Sequence, residues 1–132
     1  MNFETLTYIE ENGILHVKLN RPERRNAVNG QMIKDVGTCF SEIATKDNVK
    51  VVLFSGEGKA FCAGTDLTEI GSLGGASPEA VRRFAREGQR AFNQMELLEK
   101  VVIALIHGYA IGAGMEMILA CDMRICSEEA YF

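Results

Sequence analysis

The stretch Gly-Tyr-Ala-Ile-Gly-Ala-Gly-Met-Glu, residues 108–116, decides how the second half of the chain folds. The apolar residues 101–106 before it predict a buried strand, and residues 115–120, apolar except for Glu116, predict a helix. A strand that turns into a helix on small residues leaves the first helical N–H groups unpaired, and such groups attract negative charge. Glu116 lies one turn inside that helix, within reach of the same point. The stretch therefore predicts backbone donors for an oxyanion beside an acid or base.

A second element of the same kind lies upstream. Residues 50–54 (Lys-Val-Val-Leu-Phe) predict a strand, residues 55–58 (Ser-Gly-Glu-Gly) a turn, and residues 59–67 a loop of small residues in which Asp66 is a candidate N-cap. Two such loops can each give one N–H to a single oxygen. Taken alone, each loop is explained equally well as an ordinary turn before a helix.

The first half of the chain begins with a hairpin and a helix. Residues 6–11 and 14–19 predict two strands around Asn12-Gly13, and alternate residues of the second strand face the core. An N-cap at Asn29 predicts a helix that ends at about Thr45. One apolar stripe is expected to bury that helix, through Met32, Val36, Cys39, Phe40 and Ile43.

A longer helix begins at Ser77-Pro78-Glu79, where an N-cap, an N1 proline and a first-turn acid follow one another. Residues 70–76 before it, rich in glycine, are expected to form a mobile loop beside the site. Residues 123–126 predict a last strand, and this strand and the one at residues 101–106 are expected to be buried on both faces. The residues expected on the buried face of the long helix are Val81, Phe84, Ala85, Ala91, Phe92, Met95 and Leu98.

Four segments, taken together, carry a family resemblance. Residues 61–67 (Phe-Cys-Ala-Gly-Thr-Asp-Leu) resemble the F-x-A-G-x-D-L signature of the crotonase, or enoyl-CoA hydratase/isomerase, superfamily. Residues 107–116 resemble its N-G-x-A-x-G-G-G-x-E motif, residues 19–27 its L-N-R-P-x-x-x-N-A motif, and residues 121–125 its C-D-x-R-I strand. The segments occur in the family's order and span the whole chain.

The resemblance implies an α/β fold, a crotonase-like spiral of strand-strand-helix repeats, and one domain over residues 1–132. It implies an acyl-CoA substrate whose thioester oxygen is held by two backbone N–H groups while it becomes an enolate. Those groups belong to Thr65 and to Ala113, where alanine replaces the family's usual glycine. Glu116 matches the first of two glutamates that the family's hydratases use to add water. A buried, hydrogen-bonded helix residue is the alternative interpretation of Glu116.

The neighbouring residues are expected to bind the substrate. Arg24 and Arg25 resemble the family's basic region that contacts coenzyme A, although solvated surface charge explains them almost equally well. Asp66 is expected to fix the loop that carries Thr65. His107, where the family often has Asn, is expected to stabilise a turn. The substrate-binding set is Arg24, Arg25, Ala63, Gly64, Asp66, Leu67, Tyr109, Ile111, Gly112 and Gly114.

Composition excludes several other classes. The 132 residues are 47% hydrophobic and 24% charged with a net charge of −4, which fits a globular domain and argues against a nucleic-acid partner. The four cysteines form no C-x-x-C pair and are expected to be reduced core thiols, with no metal and no cofactor besides the coenzyme A of the substrate. Glu116 and the glycines break the apolar run 101–121, so no membrane span is expected. Residues 1–12 carry three acidic residues and no apolar h-region, so a signal or transit peptide is not expected, and together with the reduced cysteines this predicts a cytoplasmic location.

The end of the chain leaves the function open. The resemblance places the second acid in an F-G-x-P-E motif after the last strand, and this sequence stops at Phe132, where that motif should begin. The sequence is therefore expected to be truncated before the family's C-terminal trimerisation helices. A full-length form is expected to be a homotrimer or hexamer. Three functions remain: an enoyl-CoA hydratase, a catalytically silent acyl-CoA-binding or interaction module, or another crotonase chemistry such as isomerisation.

Overall fold

The computed structural model describes residues 2–132, whose strands form one five-stranded sheet in the order β1-β2-β3-β4-β5. Strands β1 and β2 form the antiparallel hairpin around Asn12-Gly13, and each later strand runs parallel to the strand before it. Parallel strands end at the same edge of a sheet, so the loops that follow β3 and β4 leave from one edge. The strands are β1 (Leu6–Glu11), β2 (Ile14–Leu19), β3 (Val51–Gly56), β4 (Val101–Ile106) and β5 (Met123–Cys126).

Local sequence explains where the helices begin. The Asn29 side chain accepts a hydrogen bond from the Met32 N–H, and the Ser77 side chain accepts one from the Ala80 N–H, so both predicted N-caps are confirmed. Pro78 occupies the first helical position, where its missing N–H costs nothing. The helices are α1 (Gly30–Ala44), α2 (Leu67–Leu73), α3 (Pro78–Glu96) and α4 (Ala113–Leu119), with a 3-10 turn at Pro22–Arg24.

Each parallel strand from β3 onward is followed by a residue that makes an isolated parallel bridge. Cys62 after β3 pairs with Ala110 after β4, and Tyr109 pairs with Tyr131 after β5. These bridges take the place of the second strand of each repeat before the chain enters a helix. The predicted spiral of strand-strand-helix repeats is therefore present in reduced form.

The core lies between one face of the sheet and helices α1 and α3. The rings of Phe40 on α1, Phe54 on β3 and Phe61 meet edge to face, with centroids 5.8 Å and 5.5 Å apart. The predicted stripe of α1 is confirmed, because all five of its apolar residues are buried: Met32, Val36, Cys39, Phe40 and Ile43.

Two helical predictions need correction. The mobile loop expected at residues 70–76 is wrong for residues 70–73, which belong to α2 because Asp66 caps that helix. The long helix α3 is buried only along its C-terminal half, through Gly88, Ala91, Phe92 and Met95. Val81 and Ala85 are exposed and Phe84 is half-buried, because the N-terminal half extends past the elements that cover the rest. Leu98 is half-buried and lies beyond the end of α3.

The strand predictions also change in detail. Strand β3 begins at Val51 and continues to Gly56, two residues beyond the predicted end. Strand β4 is buried only at alternate residues, and β5 is exposed at all four, so neither is buried on both faces as expected. No helix among residues 2–132 covers that side of the sheet. Cys126 on β5 is correspondingly exposed, whereas Cys39, Cys62 and Cys121 are the buried free thiols that the sequence predicted.

Candidate functional site

The loops after β3 and β4 are joined by backbone hydrogen bonds. The Phe61 N–H donates to the His107 carbonyl (2.8 Å), and the Cys62 N–H donates to the Tyr109 carbonyl (2.8 Å). In return, the Ile111 N–H donates to the Cys62 carbonyl (3.1 Å). The structure thus brings together the two glycine-rich loops that the sequence singled out 50 residues apart.

The first loop is also fixed from its other side, by the N-terminal segment. The Val28 N–H donates to the Gly64 carbonyl and the Asp66 N–H donates to the Val28 carbonyl, both at 2.8 Å. These bonds bracket Thr65, whose own N–H has no acceptor among residues 2–132. The Thr65 amide is therefore held in place and available to an incoming oxygen.

The second loop enters α4 through Gly112, whose φ of +54° lies in the left-handed region that favours glycine. Ala113 is the first residue of α4 and is not among the positive-φ residues, so alanine fits there without backbone strain. Its N–H has no acceptor among the described residues. The substitution of the family's usual glycine leaves the donor in place.

Asp66 organises the first loop electrostatically. Its carboxylate accepts hydrogen bonds from the Thr68 N–H (3.0 Å) and hydroxyl (2.6 Å), and it pairs with the Arg21 guanidinium at 3.1 Å. The bonds from Thr68, followed by the Arg21 contact, lower the pKa of Asp66 from 3.8 to about 2. The carboxylate is thus an ionised cap of α2, which agrees with the expected loop-fixing role.

Two residues that hold this region were not among the predicted site residues. Asn26 is buried, with a φ of +55°, and its side-chain N–H groups donate to the Glu57 and Ala60 carbonyls at 2.9 Å. Arg21 donates to the Ala27 carbonyl as well as to Asp66. Both lie in the L-N-R-P-x-x-x-N-A segment, and the match of residues 19–27 to that motif was the sequence signal for them.

Glu116 points away from the core. Its side chain is exposed, has no hydrogen-bond partner among residues 2–132, and lines a cleft of about 350 Å³ between α3 and α4. Thr65 and Ala113 are not among the residues that line this cleft. The Glu116 backbone is nevertheless tied to the second loop, because its N–H donates to the Gly112 carbonyl (3.0 Å). Polar residues of α3 at helical spacing line the cleft with Glu116: Gln89, Asn93 and Glu96. They were not among the predicted site residues.

The remaining predicted residues lie at or near the joined loops. Arg24 ends the 3-10 turn and Arg25 follows it, both are exposed, and the Arg25 carbonyl accepts from the Ala63 N–H (3.0 Å). Gly64 and Gly114 are buried, Ala63 is half-buried, and the exposed members of the set are Leu67, Tyr109, Ile111 and Gly112. His107 hydrogen-bonds the Gly58 carbonyl (2.9 Å), as its expected turn-stabilising role requires.

Within residues 2–132, no three histidine, cysteine or acidic side chains gather as metal ligands would. None of the described helices has the length and apolarity needed to cross a membrane. A groove of about 640 Å³ between α1 and α3 is lined by none of the predicted site residues.

Two curated proteins of known family are similar to the whole chain. The chain is 36% identical to the peroxisomal Delta(3,5)-Delta(2,4)-dienoyl-CoA isomerase of Arabidopsis thaliana, over 99% of the chain and 51% of that protein. It is 35% identical to a short-chain-enoyl-CoA hydratase of Clostridium acetobutylicum, over 100% of the chain and 50% of that protein. The chain therefore spans about half the length of the curated relatives it matches.

Solved structures show the same fold. An enoyl-CoA hydratase/isomerase from Xanthobacter autotrophicus Py2 superposes with a TM-score of 0.94 at 30% identity, over 99% of this chain and 49% of that one. An enoyl-CoA hydratase from Bacillus anthracis gives 0.89 at 31% identity, over 96% and 49%. The sequence profile of enoyl-CoA hydratase/isomerase matches residues 9–132, and the chain belongs to that family.

Proposed function

We propose that the joined loops form an oxyanion hole for an acyl-CoA thioester, with the N–H groups of Thr65 and Ala113 as its two donors. The observation that carries this proposal is that both N–H groups lie on loops locked to each other by backbone hydrogen bonds while remaining without acceptors among residues 2–132. Fixed donors stabilise the charge of an enolate oxygen more than the neutral thioester carbonyl, so they lower the barrier.

Hydration of a 2,3-enoyl-CoA is the reaction we favour. A base takes one proton from water as the water oxygen adds to C3, the double-bond electrons move onto the thioester oxygen held by the hole, and the enolate then takes a proton at C2 from an acid. Glu116 is the proposed acid or base for one of these proton transfers. The relative from Clostridium named as an enoyl-CoA hydratase supports this choice.

Isomerisation of a 3,5-dienoyl-CoA is the second candidate, supported by similar proteins named as dienoyl-CoA isomerases. In that reaction one proton leaves C2 and one returns at C6, so the double bonds move to positions 2 and 4. The electrons again pass through an enolate at the thioester oxygen. The same hole serves both reactions, and the difference lies in which carbons exchange protons.

Assays with two substrates separate the candidates. Full-length protein carrying these residues is incubated with crotonyl-CoA and, separately, with a 3,5-dienoyl-CoA, and the loss or gain of conjugated absorption is followed. Turnover of crotonyl-CoA supports the hydratase, and turnover of the dienoyl-CoA alone supports the isomerase. Binding of both thioesters without turnover identifies the silent acyl-CoA-binding module and contradicts a catalytic role.

Assembly and location are part of the proposal. A homotrimer or hexamer is proposed from the family resemblance, and the apolar side chains that β5 leaves exposed mark a surface that a further part of the polypeptide or a partner subunit covers. A cytoplasmic location stays a prediction. One similar isomerase is named as peroxisomal and another, from Mus musculus, as mitochondrial.

A further inference from the structure

Gly114, the second residue of α4, has no room for a side chain. A β-carbon added there would lie 2.8 Å from the Cys62 β-carbon, 2.8 Å from the Cys62 carbonyl oxygen and 3.1 Å from its sulfur. Both residues are buried. The start of α4 therefore rests directly on the first loop, at a distance that only glycine permits.

Cys62 cannot move away from Gly114 without moving the second loop. Its carbonyl accepts the Ile111 N–H (3.1 Å), and its own N–H donates to the Tyr109 carbonyl (2.8 Å). A shift of Cys62 would be transmitted to residues 109–111, which lead into Gly112. A shift of α4 instead would move its first turn, including Ala113.

The two contacting residues flank the two proposed donors in the chain. Cys62 is three residues before Thr65, and Gly114 directly follows Ala113. We propose that Gly114 and Cys62 are positioning residues that set the separation of the two oxyanion-hole N–H groups, an inference that rests on the proposed function. Gly114 then acts through its lack of a side chain and not by touching substrate, which revises its expected substrate-binding role.

The state of the Cys62 thiol supports a packing role. Burial raises the pKa of this thiol to about 11, so it is protonated at neutral pH and is neither a nucleophile nor a charge beside the hole. Its sulfur lies 3.9 Å from the Gly64 carbonyl. The side chain fills the space under the first loop.

The test compares Gly114→Ala with Gly88→Ala in full-length protein. Gly88 is also a buried helical glycine, but an added β-carbon there would meet only the Ile33 δ-carbon, at 3.7 Å. We measure kcat, KM and thermal unfolding, together with the near-ultraviolet absorption of bound acetoacetyl-CoA, whose enolate absorbs where the neutral form does not. Gly114→Ala is expected to lose about 10- to 100-fold in kcat and much of the enolate signal, with KM little changed. Gly88→Ala is expected to match wild type.

Cysteine variants keep the test decisive if Gly114→Ala does not fold. Cys62→Val adds a methyl group beside Gly114 and is expected to lower kcat and the enolate signal, whereas Cys39→Val, the same change at a buried thiol on α1, is expected to retain both. A folded Gly114→Ala with wild-type kcat and signal overturns the inference, as does a folded Cys62→Val with wild-type kcat and signal. Wild-type protein that neither turns over an acyl-CoA nor forms the enolate contradicts the proposed function itself, and with it this inference.

Discussion

Of the three residues predicted to act on substrate, Glu116 alone would act through its side chain, since Thr65 and Ala113 contribute backbone N–H groups. We expect Glu116→Gln to lower kcat by about 10²–10⁴, because glutamine cannot exchange the proton, while acyl-CoA affinity is retained. Glu42→Gln, an exposed change on α1, is the control. Steady-state kinetics and equilibrium binding on the same preparations check this. Full activity in Glu116→Gln would remove Glu116 from the reaction, because its exposed side chain has no hydrogen-bond partner among residues 2–132 that would give it a structural role.

Asp66 gives a prediction about pH. Because the pKa of Asp66 is lowered from 3.8 to about 2 in the folded chain, its charge stabilises the fold above about pH 4, and this contribution disappears as the pH falls towards 2. The difference in unfolding free energy between wild type and Asp66→Asn is expected to be constant near neutral pH and to shrink between pH 4 and 2. Denaturant unfolding at a series of pH values measures it. A difference that does not change with pH would refute the ionised cap.

At the scale of elements, the first turn of α4 supplies a donor that a single substitution can remove. Ala113 is the first helical residue, where proline is well tolerated, so Ala113→Pro deletes the N–H while keeping the helix. We expect a loss of about 10²–10³ in kcat, the usual effect of one missing oxyanion donor. Thr65→Ala keeps its backbone N–H and is expected to be far milder. Similar losses in both variants would assign a role to the Thr65 hydroxyl.

Elements with strong local signals were predictable, and those that depend on distant partners were not. The hairpin and the caps at Asn29, Asp66 and Ser77 follow from nearby residues, and the structure confirms them. The exposure of Val81 depends on which elements happen to cover α3, and periodicity carries no such information. The helix at residues 67–73 was not predicted, because the glycines of residues 70–76 indicated a loop more strongly than the Asp66 cap indicated a helix.

The candidate site shows the same division. The sequence predicted both loops and the cap, but not the hydrogen bonds that join Cys62 to Tyr109 and Ile111. Contacts between residues about 50 positions apart are set by strand order, which no local pattern encodes. The cleft beside Glu116 was not predicted, because the apolar pattern of α3 indicates its buried face and carries no information about its polar residues.

For the whole molecule, the exposed apolar surface of the last residues predicts association. Met123 and Ile125 on β5 are 52% and 54% exposed, and Tyr131 and Phe132 more than 60%. We expect the 132 residues expressed by themselves to self-associate and not to turn over crotonyl-CoA. An unpaired edge strand and exposed apolar side chains favour association with other chains. Sedimentation and crotonyl-CoA assays test this. A soluble, cooperatively unfolding monomer that hydrates crotonyl-CoA would show that the surface needs no cover.

The central claim is that two backbone N–H groups hold the thioester oxygen. Infrared difference spectra of crotonyl-CoA carrying a ¹³C-labelled carbonyl measure this directly, because hydrogen bonds to the carbonyl oxygen weaken the C=O bond and lower its stretching frequency. Bound to full-length wild-type protein, the label is expected to absorb at lower frequency than in water, with a smaller shift in Ala113→Pro. A carbonyl frequency that is the same in wild type and in Ala113→Pro would contradict the oxyanion hole.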